Sequence, residues 1–86
     1  MQNAVWKFPL HPDTVIRMPK GARVLKIDTQ NGDAFIWAAV DTDAPMVDRI
    51  FTVVGTGWVV SDLTYATYYG MFQLENGALV FHVFER

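Results

Sequence analysis

Nucleophilic chemistry has little to work with in this sequence. There is one serine, Ser61, no cysteine, and two histidines, His11 and His82, far apart in the chain. A Ser–His–acid set would have to join Ser61 to one of those histidines and an aspartate. Nothing around Ser61 reads as the sharp turn that exposes such a nucleophile. His82 lies in an alternating apolar run, the setting of a packed or hydrogen-bonded histidine. Asp41 and Asp43 are close enough to suggest paired carboxylates, but their polar, loop-like surroundings point to solvent. The histidine spacing does not suit a metal, and thiolate ligands are absent. The expectation is therefore a protein that is not an enzyme and that carries no metal and no cofactor.

Binding chemistry has more material. Gly55-Thr56-Gly57 lets backbone N–H groups approach an anion closely, with a threonine hydroxyl beside them. It lacks the helix and the Gly-Lys-Thr signature of a phosphate loop, and a β-bulge or strand kink also calls for glycine. Trp58 follows this break and is placed to stack on a flat ligand, whereas Trp37 sits in a strand apolar on both faces and reads as core. Tyr68 and Tyr69 must point to opposite faces of a regular strand; one packs, and the other, taken here as Tyr68, offers its hydroxyl. Arg49 begins the most apolar run of the chain. It either clamps a phosphate bidentately or pairs with an aspartate. Lys20 and Arg23 belong to a cluster, with Arg17 and Lys26, that holds no acid, while Asp41, Asp43 and Asp48 form an acidic cluster. These are either two solvated faces or an anion-binding face opposite an acidic one. The candidate ligand residues are thus Lys20, Arg23, Arg49, Gly55, Thr56, Gly57, Trp58 and Tyr68.

The elements that must position them are strands. Ala4, Trp6, Phe8 and Leu10 alternate against Val5 and Lys7, and Pro9 marks an edge or a strand end. His11-Pro12-Asp13 is a turn, Thr14–Met18 a short strand, and Pro19-Lys20-Gly21 a tight turn. In residues 22–29, regular alternation puts Leu25 and Ile27 with Arg23, and Val24 with Lys26 and Asp28. Asn31-Gly32 signals a hairpin leading into Ala34–Asp41. There Phe35, Trp37 and Ala39 face one way and Ala34, Ile36, Ala38 and Val40 the other. Burial on both sides follows, with a neighbouring subunit as one means of covering the second. A loop around Pro45 leads to Arg49–Val60, a central strand broken at Gly55-Thr56-Gly57 and resuming at Trp58. Tyr65–Leu74, an Asn76-Gly77 turn and Ala78–Glu85 close the chain. About seven short strands with regular turn signals predict one all-β domain over residues 1–86, a small antiparallel β-sandwich or barrel.

Composition bounds the partners. A chain of 86 residues with 51% apolar residues has more hydrophobic material than so small a core needs, so a homo-oligomer is expected. The net charge of −2 argues against polymeric nucleic acid, whose binding requires neutralising several phosphates. No apolar run is long enough to span a membrane. No secretory signal is evident either, so a cytoplasmic location is expected.

Five stretches in order carry a resemblance: Val5–Leu10, Met18–Ala22, Ile36–Asp41, Arg49–Gly57 and Gly77–Glu85. Together they resemble a family of short proteins, common in bacteriophage and prophage genomes, known only as a domain of unknown function. Relatives carry His after the Gly-Thr-Gly where this sequence has Trp58, which puts ligand choice at that position in question. The resemblance implies a phage protein. By analogy with small phage proteins that blunt host defence, it suggests a sponge that sequesters a cyclic nucleotide or a related immune signal. Arg49, Lys20 and Arg23 would meet phosphate, Trp58 and Tyr68 the base, and the backbone of Gly55–Gly57 would donate. The rival reading is a protein–protein inhibitor of a host defence component, or a structural accessory.

Overall fold

The computed structural model describes residues 2–12 and 14–86, without the side chain of Thr14. Asp13, assigned to the first turn, lies outside the described residues. The strands are β1 (Asn3–Pro9), β2 (Thr14–Pro19), β3 (Arg23–Gln30), β4 (Asp33–Asp41), β5 (Met46–Gly55), β6 (Thr67–Leu74) and β7 (Leu79–Glu85). They form two antiparallel sheets, a three-stranded one of order β1-β4-β3 and a four-stranded one of order β2-β5-β7-β6. The sheets pack face to face as a sandwich and do not close into a barrel.

Turn chemistry fixes the connections. Asn31 and Gly32 both take positive φ, 53° and 84°, which is what a two-residue hairpin turn needs to match strand twist. Gly21, at φ 82°, allows the turn in which the Ala22 N–H donates to the Pro19 carbonyl at 3.0 Å. That turn carries the chain from β2 in one sheet to β3 in the other.

The core lies between the sheets. Ala34, Ile36, Ala38 and Val40 supply the inner face of β4, and Met18, Phe51 and Val83 meet them from the four-stranded sheet, all buried. Each of the larger side chains contributes about 1.5–3 kcal/mol by leaving water. The other face of β4, with Phe35, Trp37 and Ala39, is only half buried.

Two expectations are corrected. Regular alternation in β3 fails because a bulge lies between Val24 and Lys26. The extra residue, Leu25, is exposed. Val24 and Ile27 therefore both turn inward, and Arg23, Lys26 and Asp28 share the outer face. Secondly, β5 ends at Gly55 and no strand resumes at Trp58. Val59 is 100% exposed, because no neighbouring strand extends far enough to pair with it.

Candidate functional site

The eight candidate residues separate into three places. Arg49 lies inside, at the seam between the sheets. Its Nε and Nη2 each donate to a Glu85 carboxylate oxygen at 2.7 Å, and Nη1 donates to the Ala22 carbonyl. The Tyr69 hydroxyl donates to the same carboxylate at 2.7 Å. Both charged side chains are largely buried, at 18% and 17% exposure. Hydrogen bonding from Arg49 holds the Glu85 carboxyl below its ordinary range, and the guanidinium is raised in turn. Burial and the carboxylate push the Tyr69 phenol up. Arg49 thus pairs with a glutamate, a partner not foreseen, and its fork is occupied by β7, β6 and the β2–β3 turn. A bulge between Tyr68 and Gly70, with Gly70 at φ 136°, sits where Tyr69 turns into this cluster.

Gly55, Thr56, Gly57 and Trp58 form a turn at one end of the sandwich. The Trp58 N–H donates to the Gly55 carbonyl at 3.0 Å, and the Thr56 N–H to the Val80 carbonyl at 3.0 Å. Those two amides are committed within the chain rather than aimed at an anion. Trp58 is 60% exposed. Its indole stands edge-on to Phe81 at 5.9 Å and lies over Gly55, where a Cβ would run into the ring. Close approach of this indole is therefore the reason for glycine at 55, and φ 86° the reason at 57. Beside the turn, His82 joins two hydroxyls: Thr56 Oγ1 is 2.8 Å from its Nε2 and Tyr68 OH is 3.0 Å from its Nδ1. A neutral imidazole accepts from one and donates to the other. The chain orients Tyr68; its far member is a phenol, where an activated nucleophile would have a carboxylate to orient and charge-stabilise the imidazole. None of the basic candidates adjoins this end.

Lys20 and Arg23 lie elsewhere, lining an open hollow of about 420 Å³ with Asn3, Ala39 and Asp41. The acidic and basic clusters are therefore interleaved and not opposed: Asp41 shares this hollow, and Asp48 pairs with Arg17 at 3.2 Å. The hollow opens onto the outer face of the three-stranded sheet. Strand register puts Lys7, Trp37 and Lys26 in one row across that face, and Val5, Ala39 and Arg23 in the next. Residues directly opposite share a face, so Trp37 lies between two lysines, of which Lys7 donates from Nζ to the Gln30 side-chain carbonyl at 2.6 Å. Small Ala39 leaves space beside the indole. Phe35 stands edge-on to Trp37 at 5.8 Å, and Lys7 Nζ lies 4.5 Å from the Phe35 ring centre. Lys26 pairs with Asp28 at 3.2 Å. The Thr29 N–H, with Lys26, holds the Asp28 carboxyl below its usual range.

Sequence reasoning did not bring Trp37, Lys7 and Lys26 together. Trp37 read as core because β4 is apolar on both sides, and Lys26 was assigned the wrong companions because the bulge was not visible. The useful signal was Lys7 opposite β4: a strand flanked by lysines is not buried on that face. Among the described residues no three His, Cys, Asp or Glu side chains are grouped to hold a metal ion, and no helix is long and apolar enough to cross a membrane.

Fold and surface define a small antiparallel β-sandwich with an aromatic, lysine-flanked sheet face. Over residues 1–86 the sequence matches the family described as Domain of unknown function (DUF7352), and the chain belongs to that family. No curated protein and no solved structure gives a match.

Proposed function

We propose that this protein binds a small phosphate-bearing ligand with a planar base, such as a cyclic nucleotide, and holds it without cleaving it. The site is the outer face of the three-stranded sheet. The observation that carries the reading is the cross-strand row Lys7–Trp37–Lys26, with Arg23 in the adjoining row. Stacking on an aromatic side chain is worth about 1–3 kcal/mol per base, and ammonium groups on either side suit phosphate. A base laid over Ala39 meets Trp37, and its phosphate reaches Lys20 and Arg23 across the hollow. Asp28, the carboxylate in the row next to Trp37, stays ionised and paired with Lys26, which is a poor state for a general acid. This reading keeps Lys20 and Arg23 as ligand groups, gives Trp37 the stacking role first given to Trp58, and leaves Arg49 out. In a bacteriophage such a binder acts in the host cytoplasm as a sponge for a nucleotide immune signal.

The test is a thermal-shift and calorimetric screen against cyclic di- and oligonucleotides and ADP-ribose derivatives. A binder raises the melting temperature by mass action. Trp37→Ala abolishes the shift, Lys7→Ala and Lys26→Ala each lower the calorimetric affinity about tenfold, and Trp58→Ala leaves it intact. Loss of binding in Trp58→Ala alone would move the site to the Gly55–Trp58 turn. The ligand is recovered chemically unchanged after prolonged incubation; recovery of hydrolysed nucleotide would make the protein an enzyme.

A further inference from the structure

The two outer faces of this sandwich differ in kind. The outer face of the three-stranded sheet is charged along its length, with Lys7, Arg23 and Lys26 set among Asp28, Asp33 and Asp41. On the four-stranded sheet, register places Val15 opposite Ile50, then Thr52, Phe84 and Tyr68 in one row, with Val54, His82 and Met71 in the next. Val15 is 58% and Ile50 60% exposed, and Tyr68 and Met71 are exposed as well. Among the described residues the only ionic pair on this face is Arg17–Asp48, at its end, and the pair is neutral overall. A sheet face in contact with water ordinarily alternates to polar side chains. This one does not.

We infer that this face is a face-to-face interface between two copies of the chain. A symmetric interface must be complementary to itself. On a chain of net charge −2, an apolar face with one internally neutral ion pair meets its own copy without like-charge repulsion. The patch is also ordered in advance: Tyr68 packs on Phe84 with ring centres 5.1 Å apart, and its hydroxyl is fixed by His82 at 3.0 Å. Little side-chain freedom is lost when such a surface docks. Four strands about 4.8 Å apart, and about 25 Å long, cover on the order of 500 Å² in plan. Side-chain relief brings that towards the ~800 Å² per partner of a specific interface. The dimer has four sheets in layers and leaves both lysine-flanked faces outermost, so nucleotide binding and self-association do not compete.

Sedimentation or light scattering over about a hundredfold range of concentration reads the outcome. Wild-type protein is a dimer. Ile50→Asp and Val15→Asp are folded monomers by circular dichroism, because neither residue belongs to the core. Ile50→Thr keeps a β-branched residue in the strand and raises the dimer dissociation constant about tenfold, which reads the face even where an aspartate variant fails to fold. Trp37→Ala stays dimeric. A wild-type monomer at every concentration overturns the inference, as does a dimer that Ile50→Thr and Ile50→Asp leave unchanged. A failed nucleotide screen leaves it standing, since the two faces are tested by different variants.

Discussion

Arg49 shows how one residue can have the right chemistry for a ligand and still serve the fold. Its guanidinium meets Glu85 with two parallel bonds and closes the seam between the sheets at the Ala22 carbonyl. Removing one partner of such a pair leaves a largely buried charge uncompensated, so Arg49→Ala costs about 2–4 kcal/mol. Arg49→Lys recovers only part, because a point charge cannot replace the fork. The pH dependence follows from Glu85. Its carboxyl is held below the ordinary value in the folded state, so between the two values the unfolded chain binds more protons. The stabilisation is complete above about pH 5.5 and is lost as pH falls through ~4.3 and below. Urea midpoints taken at neutral and acid pH should fall less in Glu85→Gln than in wild type, and an equal fall would remove this account. The arginine was legible as important from its place in an apolar strand. Its partner was not, because Glu85 is 36 residues away and no local pattern joins them.

Among the elements, β3 carries the lesson. The hairpin turns and most strand spans followed from Asn-Gly pairs and period-two alternation, which are local properties of the backbone. The bulge at Leu25 is not local: it exists because β4 sets the register on both sides of it. One extra residue moves Lys26 and Asp28 beside Arg23 and creates the cationic edge of the proposed site. Leu25 should therefore tolerate change while its neighbour does not. Leu25→Lys alters stability by at most about 0.5 kcal/mol, whereas Ile27→Ala costs about 2–4 kcal/mol through lost burial and a cavity. Denaturant titration of both variants checks the assignment, and a costly Leu25→Lys would place the bulge elsewhere. The same limit explains Trp58. Alternation continued through Val59 and Val60, yet a strand needs a partner, and β7 ends its pairing with β5 at Gly55.

For the whole molecule, the sequence carried the class of fold but not the distribution of charge over it. A net charge of −2 does not tell where charge gathers, and Lys7, Arg23 and Lys26 share one sheet face with Asp28, Asp33 and Asp41. Affinity for a phosphate ligand on that face should weaken as salt rises through the range where the Debye length falls from about 10 to about 3 Å. Calorimetric titrations at low and high ionic strength would measure this, and salt-independent affinity would mean that stacking acts alone. Finally, among the described residues two of the five strand pairings, β3–β4 and β6–β7, join strands adjacent in sequence. Each sheet contains one of them. Tight hairpins close in about 1–10 μs, whereas β1 must wait for β4, and β2 for β5, across much longer loops. The chain therefore has two early nuclei, one per layer, and its slow event is the meeting of two half-built sheets. At that moment each still presents an unpaired strand edge, which makes the freshly synthesised protein most vulnerable to mispairing before the seam at Arg49 has closed.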